Sequence, residues 1–106
     1  MISYEQFQHM EFRVATILSA ERVEGSEKLL CISVSLGEES RQIIAGIGKR
    51  YAPEELAGKQ IIIVVNLEPR MLMGLESQGM LLAADSPDGP VLLRPDSDVP
   101  AGVKIK

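Results

Sequence analysis

The alternation of apolar and polar residues along the chain predicts short strands rather than long helices. The clearest period of two runs through residues 30–36, where leucine, isoleucine and valine alternate with cysteine and serine. A longer alternation spans residues 12–24, and residues 41–47 follow as a further strand after a glycine turn. Two compact apolar runs, residues 61–65 and 80–84, have the length of buried strands. The pattern therefore predicts a chain built mainly of strands.

Capping and turn residues complete the predicted order of elements. Ser3 and Gln6 have the spacing of a capping box and predict a short N-terminal helix. Residues 53–56 begin with proline and two acids and precede Gly58, so they predict a helical turn between the third and fourth strands. Residues 91–93 predict a short strand before a last extended piece. This is the order of an all-β, five-stranded OB-fold barrel with an N-terminal helix and a C-terminal β extension.

The connection between the fourth and fifth strands is the best candidate site. Residues 66–78 are predicted to form a long loop, and such a loop in a small domain is usually functional or mobile. OB barrels bind ligands on strands two and three and on the loops that join strands one to two and four to five, here residues 24–28 and 66–78. Met80 opens the predicted fifth strand, where we expect its thioether at the rim of the barrel. The polar residues that this topology brings toward one side are Lys28, Arg41, Asn66, Arg70 and Ser77.

Length and charge narrow the class of protein. The chain has 106 residues, 45% of them apolar and 25% charged, which predicts one globular domain spanning residues 1–106. The formal net charge of −4 argues against a general nucleic-acid binder. The charges are unevenly distributed, because residues 41–53 carry Arg41, Lys49 and Arg50 and no acid. A local basic face is therefore compatible with the acidic total.

No group of residues has the pattern of a catalytic or cofactor-binding site. Residues 46–49 are similar to part of a phosphate-binding P-loop, but the first glycine and the hydroxyl residue after the lysine are missing, so a structural bend is the better interpretation. Cys31 and His9 lie on separate predicted elements with no third group to orient a base. No cluster has metal-ligand spacing. We therefore expect no enzymatic activity, no cofactor and no metal.

The sequence also predicts the compartment. The longest apolar run is far too short to cross a bilayer, and the N-terminal residues lack the basic and apolar regions of a signal peptide. The single cysteine fits a reducing environment. We expect a cytoplasmic protein with no membrane partner.

The scarcity of aromatic residues, 4% of the chain, limits the kind of nucleic acid that could bind. Barrels that hold single strands without sequence preference stack bases on aromatic rings. A folded RNA, recognised through phosphates, 2′-hydroxyls and shape, is therefore the better candidate. Met71 and Met73 are either an adaptable binding surface or core fillers, and the sequence does not distinguish the two.

Several segments resemble the tRNA-binding domain family, which includes stand-alone dimeric tRNA-binding proteins and the C-terminal domain of bacterial methionyl-tRNA synthetases. They are FRV at residues 12–14, AERV at 20–23, EKLL at 27–30, RQIIAGI at 41–47, YAPEEL at 51–56, NLEPR at 66–70 and MGLESQGM at 73–80. The resemblance covers nearly the whole chain. It implies an OB fold, a homodimer, and binding of the outer corner of tRNA by shape. On matching positions it implies tRNA contacts by Lys28, Asn66, Arg70, Ser77 and Met80.

The wider family leaves other functions open. Some members resemble export-related chaperones that bind unfolded peptides, and a purely structural dimerisation module is a third reading. Residues 45–47 and 77–80 look closer to the tRNA-binding branch. We therefore predict structure-specific, largely sequence-independent tRNA binding by a small dimeric protein, free-standing or associated with an aminoacyl-tRNA synthetase.

Overall fold

The chain folds into short strands with one short helix. The structure, a computed structural model, describes every residue from Met1 to Lys106. In chain order the elements are α1 (Tyr4–Gln8), β1 (Phe12–Arg22), β2 (Leu30–Ser35), β3 (Ser40–Ala45), a 3-10 turn (Pro53–Glu55), β4 (Gln60–Val64), β5 (Arg70–Leu72), β6 (Leu75–Ser77), β7 (Met80–Leu81), β8 (Ala83–Ser86) and β9 (Gly89–Leu92). None of these helices is long and apolar enough to cross a membrane.

The central sheet is antiparallel and five-stranded, in the order β3-β2-β1-β4-β7. The long strand β1 pairs with β4 through its first half, residues 12–16, and with β2 through residues 16–22. A bulge between Ile17 and Ser19 interrupts the register of β1 and bends it. The edge strands β3 and β7 come back into contact, so the sheet curls into a nearly closed barrel. The predicted OB-type fold is confirmed.

The core lies inside this barrel and explains why the period-two pattern forms strands. On β2 the side chains alternate between buried and half-buried, and Leu30, Ile32 and Val34 are fully buried. Ile17 from β1 and Ile63 from β4 pack against them. Each such aliphatic side chain contributes about 1.5–3 kcal/mol relative to an exposed one. Burial of one face of each strand therefore selects the strand conformation.

The predicted ends of helices agree with the structure. Ser3 Oγ accepts the N–H of Gln6 at 3.1 Å, and Gln6 Oε1 accepts the N–H of Ser3 at 2.9 Å, so the capping box is complete. The predicted helical turn is the 3-10 turn that begins at Pro53, and Leu56 after it is fully buried. Both short elements are confirmed.

The prediction of a long loop at residues 66–78 is wrong. This segment contains the β5–β6 hairpin, in which Arg70 pairs with Ser77 and Leu72 with Leu75. Strands of three residues are too short to show an alternating pattern, and tertiary contacts hold them instead. The predicted strand at residues 80–84 is also divided, because β7 ends at Leu81 and β8 begins in a separate hairpin with β9. Strand β1 ends two residues earlier than predicted, at Arg22.

The C-terminal tail ends in an extended segment, as predicted, and the structure places this segment on the open side of β1. The N–H of Gly102 donates to the carbonyl of Val14 at 2.7 Å, and the N–H of Ile105 donates to Phe12 at 3.0 Å. Gly102 has a φ of +92°, and a β-carbon there would collide with the carbonyl of Leu36. The tail can therefore approach the β2–β3 turn this closely only with glycine at that position.

Candidate nucleic-acid interface

A groove of about 300 Å³ lies where the β1–β2 loop, β3, the β5–β6 hairpin and β7 meet. Lys28 and Arg70 stand on its walls, and neither Asp nor Glu lines it. The other lining residues are apolar or glycine: Leu29, Ile44, Ala45, Gly46, Leu72, Met80 and Leu81. The barrel thus brings together three of the residues singled out in the sequence, namely Lys28, Arg70 and Met80.

Lys28 is held by the loop that carries it. The N–H of Gly48 donates to the carbonyl of Lys28 at 2.7 Å, and Ser26 Oγ accepts the N–H of Lys28 at 3.2 Å. A β-carbon on Gly48 would lie 2.8 Å from that same carbonyl oxygen, so Gly48 serves a close backbone approach. The structural interpretation of the glycines at residues 46–49 is confirmed. The ammonium group of Lys28 is left on an exposed side chain.

The two groove cations carry no internal counter-charge. The ion pairs in the structure join Arg13 to Glu11 at 2.6 Å and Arg41 to Glu39 at 3.4 Å. Lys28 and Arg70 take part in neither of these ion pairs, and both side chains are exposed. In a chain of net charge −4, two unpaired cations beside one groove form a local site for an anion.

Three exposed methionines lie on β7 and on the β5–β6 hairpin. Met80 lines the groove and is 42% exposed, whereas Met71 and Met73 on the hairpin are 65% and 58% exposed. The core-filling alternative for Met71 and Met73 is therefore wrong. Flexible thioether side chains at a surface can adapt to irregular ligands.

Ser77 lies beneath the groove rather than in it. Its side chain is buried, with 4% exposure. Its Oγ accepts the N–H of Ile44 and donates to the carbonyl of Gly79, each at 3.0 Å. The hydroxyl therefore fastens the end of the hairpin to β3, and its hydrogen bonds are made within the protein.

Two glutamines that the sequence did not single out fasten the same hairpin. The N–H of Gln42 donates to Gln78 Oε1 at 2.9 Å, and the N–H of Gln78 donates to the carbonyl of Gln42 at 2.7 Å. Gln42 Nε2 also donates to the carbonyl of Glu76 at 2.9 Å. Glutamine at a half-buried or exposed position carries no sequence signal of such a role. These contacts close the barrel between β3 and β6 and hold the hairpin that carries Arg70.

Arg41 and Asn66 lie outside the groove, and their polar groups point toward the protein. The Nη1 of Arg41 donates to the carbonyls of Val65 and Gln78. Asn66 Oδ1 accepts the N–H of Glu11 at 2.9 Å, and its Nδ2 donates to the carbonyl of His9 at 2.6 Å. Asn66 thus fastens the segment after α1 to the end of β4, and Arg41 fastens β3 to the same end.

A larger crevice, about 890 Å³, lies on a different part of the surface and is less suited to an anion. Arg13 and Arg41 line it, but so do Glu11, Glu38 and Glu39. Arg13 donates to Glu11 Oε1 and to the carbonyl of Gly102. This hydrogen bonding lowers the pKa of Glu11 below its usual range, so the pair stays ionised. Size alone therefore does not identify the site.

Cys31 has the properties of a packing residue. It is half-buried on β2, and burial raises the pKa of its thiol, with the carboxylate of Glu21 raising it further. A thiol that remains protonated is a poor nucleophile. The described residues contain no group of His, Cys, Asp and Glu that could hold a metal ion.

The chain is similar to known proteins over its whole length. Residues 12–104 match the family model described as a tRNA binding domain. The chain is 54% identical over 106 residues to a methionine–tRNA ligase of Methanothrix thermoacetophila, and 58% identical over 104 residues to that of Caldanaerobacter subterraneus. These matches cover 100% and 98% of the chain but only 16% of each ligase. The chain therefore spans about a sixth of the length of these relatives.

Solved structures share the whole fold. A MetRS-related protein from Pyrococcus horikoshii superposes with a TM-score of 0.93 at 36% identity, covering 100% of this chain and 98% of that one. The chaperone CsaA of Bacillus anthracis superposes with a TM-score of 0.91 at 33% identity, covering 100% and 99%. Together with the match over residues 12–104, these similarities establish that the chain belongs to the tRNA-binding domain family.

Proposed function

We propose that this chain binds tRNA at the groove between Lys28 and Arg70, recognising shape with little preference among tRNAs. The observation that carries the proposal is the pair of unpaired cations beside an apolar groove in an otherwise acidic chain. Phosphate contacts supply most of the affinity of proteins that bind nucleic acid without reading sequence. Two cations at one place can hold an RNA backbone while the acidic surface elsewhere discourages general binding.

The groove residues take different roles in this proposal. Lys28 and Arg70 contact phosphates, and Met80 packs against the ligand between them. Ser77 acts from behind as a positioning residue, because its hydroxyl is engaged with Ile44 and Gly79. We propose supporting roles for Arg41 and Asn66 as well, since their side chains bind carbonyls and an amide of the protein itself.

We further propose that the chain works as a homodimer. Helix α1 leaves Tyr4 74% exposed and Phe7 41% exposed, and the tail leaves Ile105 38% exposed beside them. We name these three residues, together with Met10, the terminal apolar surface. A second copy of the chain would cover this surface. The resulting dimer would present two grooves to RNA.

The chain holds tRNA without acting on it chemically, in the cytoplasm where aminoacylation takes place. Its curated relatives are methionine–tRNA ligases in which the matching segment is 16% of the length. We propose that this chain is a tRNA-holding module that serves an aminoacyl-tRNA synthetase, either within the same polypeptide or as its partner. The catalytic residues would belong to the synthetase.

Peptide binding is the second candidate, because two matching structures are chaperones named CsaA. The exposed Met71 and Met73 are compatible with it. A titration at moderate salt separates the two functions: labelled total tRNA is bound to the chain and competed with unlabelled tRNA, single-stranded RNA or a chemically unfolded protein. We expect the unlabelled, folded tRNA to compete best. Preferential binding of unfolded protein, with no retention of tRNA, would replace the tRNA function by the chaperone function.

A further inference from the structure

The turn of the β5–β6 hairpin contains an unusual residue. Leu72 pairs with Leu75, so Met73 and Gly74 form a two-residue turn, with φ angles of +51° and +79°. Turns with two positive φ angles favour Asn, Asp or Gly at the first position, because a longer side chain is strained in the left-handed region. Met73 is the only residue other than glycine in the structure with a positive φ. Folding alone gives no reason for methionine there.

The Met73 side chain does not pack in the hydrophobic core either. It is 58% exposed, and its Cε lies 3.4 Å from where a β-carbon on Gly25 would be. The thioether therefore lies over the β1–β2 loop that also carries Lys28. Strained, exposed apolar residues next to a binding groove are candidates for ligand contact.

We propose that Met73 contacts an unstacked nucleobase of the bound RNA, which presupposes that the chain binds tRNA as proposed above. Charge favours RNA over a peptide as the occupant, because Lys28 and Arg70 in the adjoining groove have no acidic partner. The loop under Met73 carries Glu24 and Glu27, whose carboxylates repel phosphate. The part of the ligand that contacts the tip of the β5–β6 hairpin is therefore expected to be uncharged. Sulfur of methionine packs favourably against aromatic rings, and unstacked bases are the part of folded RNA that proteins reach.

The decisive variant is Met73→Asn, because it moves stability and binding in opposite directions. Asparagine before Gly74 is the preferred pair for this turn, so the melting temperature should rise. Affinity for total tRNA should fall by roughly two- to tenfold, the range of a sulfur–ring contact. The salt dependence should not change, because no phosphate contact is lost. Met73→Leu keeps an apolar side chain and should retain most of the affinity.

A methyl spectrum provides a direct measurement of the contact. In protein labelled at methionine methyl groups, total tRNA should shift the Met73 signal upfield through the ring current of a base, while Met10 on the terminal apolar surface stays in place. Two results would overturn the inference. One is an unchanged tRNA affinity in Met73→Asn. The other is a weaker affinity together with a salt dependence reduced by the equivalent of one phosphate contact, which would mean that Met73 only positions Lys28. A shift with unfolded protein but not with tRNA indicates a peptide site instead. If the parent chain itself fails to bind tRNA, the proposed function falls and the inference with it.

Discussion

The aliphatic stem of Lys28 lies against the backbone of Gly46, so closely that a β-carbon on Gly46 would be 2.7 Å from the Lys28 Cε. Because the colliding atom belongs to a flexible side chain, Gly46→Ala should displace Lys28 without unfolding the barrel. We expect tRNA affinity to fall about as far as in Lys28→Ala. The double variant should lose no more than either single variant, measured by filter binding. Additive losses would show that Gly46 does not act through Lys28.

Removal of either groove cation should weaken binding in the same way for all tRNAs. Lys28→Ala and Arg70→Ala should each lower the salt slope of binding by about 0.7 to 0.9 per lost phosphate contact. Arg50→Ala is the matched control, because Arg50 donates to the carbonyl of Asp88 at 3.2 Å, outside the groove. Gel-shift titrations at several salt concentrations measure both slope and affinity. If the Lys28→Ala, Arg70→Ala double variant is folded and binds tRNA as tightly as the parent, the tRNA site lies elsewhere on the protein.

Ser77→Ala should lower the stability of the fold, and any loss of RNA binding should follow from that change. The change leaves the buried N–H of Ile44 without its acceptor, which costs about 1–3 kcal/mol of unfolding free energy. Ser35→Ala is the matched control, because Ser35 Oγ accepts the N–H of Gly37 at 3.1 Å in an exposed turn, where a loss within about 0.5 kcal/mol is expected. Urea unfolding of the three proteins tests this. Equal stability of the parent and Ser77→Ala would contradict a positioning role.

The terminal apolar surface should hold two chains together. We expect sedimentation equilibrium at micromolar concentration to give twice the 11.6 kDa of one chain. Tyr4→Glu places a charge on a side chain that is 74% exposed in one chain, so it should shift the mass toward the monomer while leaving the capping box of α1 intact. Leu18→Glu is the control, since Leu18 is an exposed leucine on β1. A parent that sediments only as the monomer would end the dimer proposal.

Cys31 should react slowly and contribute nothing to RNA binding. Burial and the charge of Glu21 both raise the pKa of its thiol, so less of the reactive thiolate forms at a given pH than in an unburied cysteine. The rate of alkylation by iodoacetamide should therefore rise with pH through a midpoint above that of a cysteine in an unfolded peptide, and Glu21→Gln should lower the midpoint. Cys31→Ser should bind tRNA like the parent. Fast alkylation at neutral pH would indicate an activated thiol that the structure does not explain.

The sequence by itself determined strands β1 to β4, the short helical elements and the family. Burial of one strand face imposes a period of two that is visible along β1 and β2, and capping residues such as Ser3 act only on their near neighbours. The order of these local elements was enough to predict the barrel. The motifs carried by residues 12–80 were enough to place the chain in the tRNA-binding domain family, which the match over residues 12–104 confirms.

Only the tertiary structure decided the hairpin and the division of labour among the polar residues. The strands β5 and β6 have three residues each and are held by Ser77 and Gln42 from across the barrel, so no local pattern could reveal them. Lys28 and Arg41 look alike in sequence. Arg41 is bound to the carbonyl of Val65, 24 residues away, whereas Lys28 has no carboxylate partner. Whether a cation is free for a ligand depends on which distant groups lie within hydrogen-bond reach, and folding alone sets those distances.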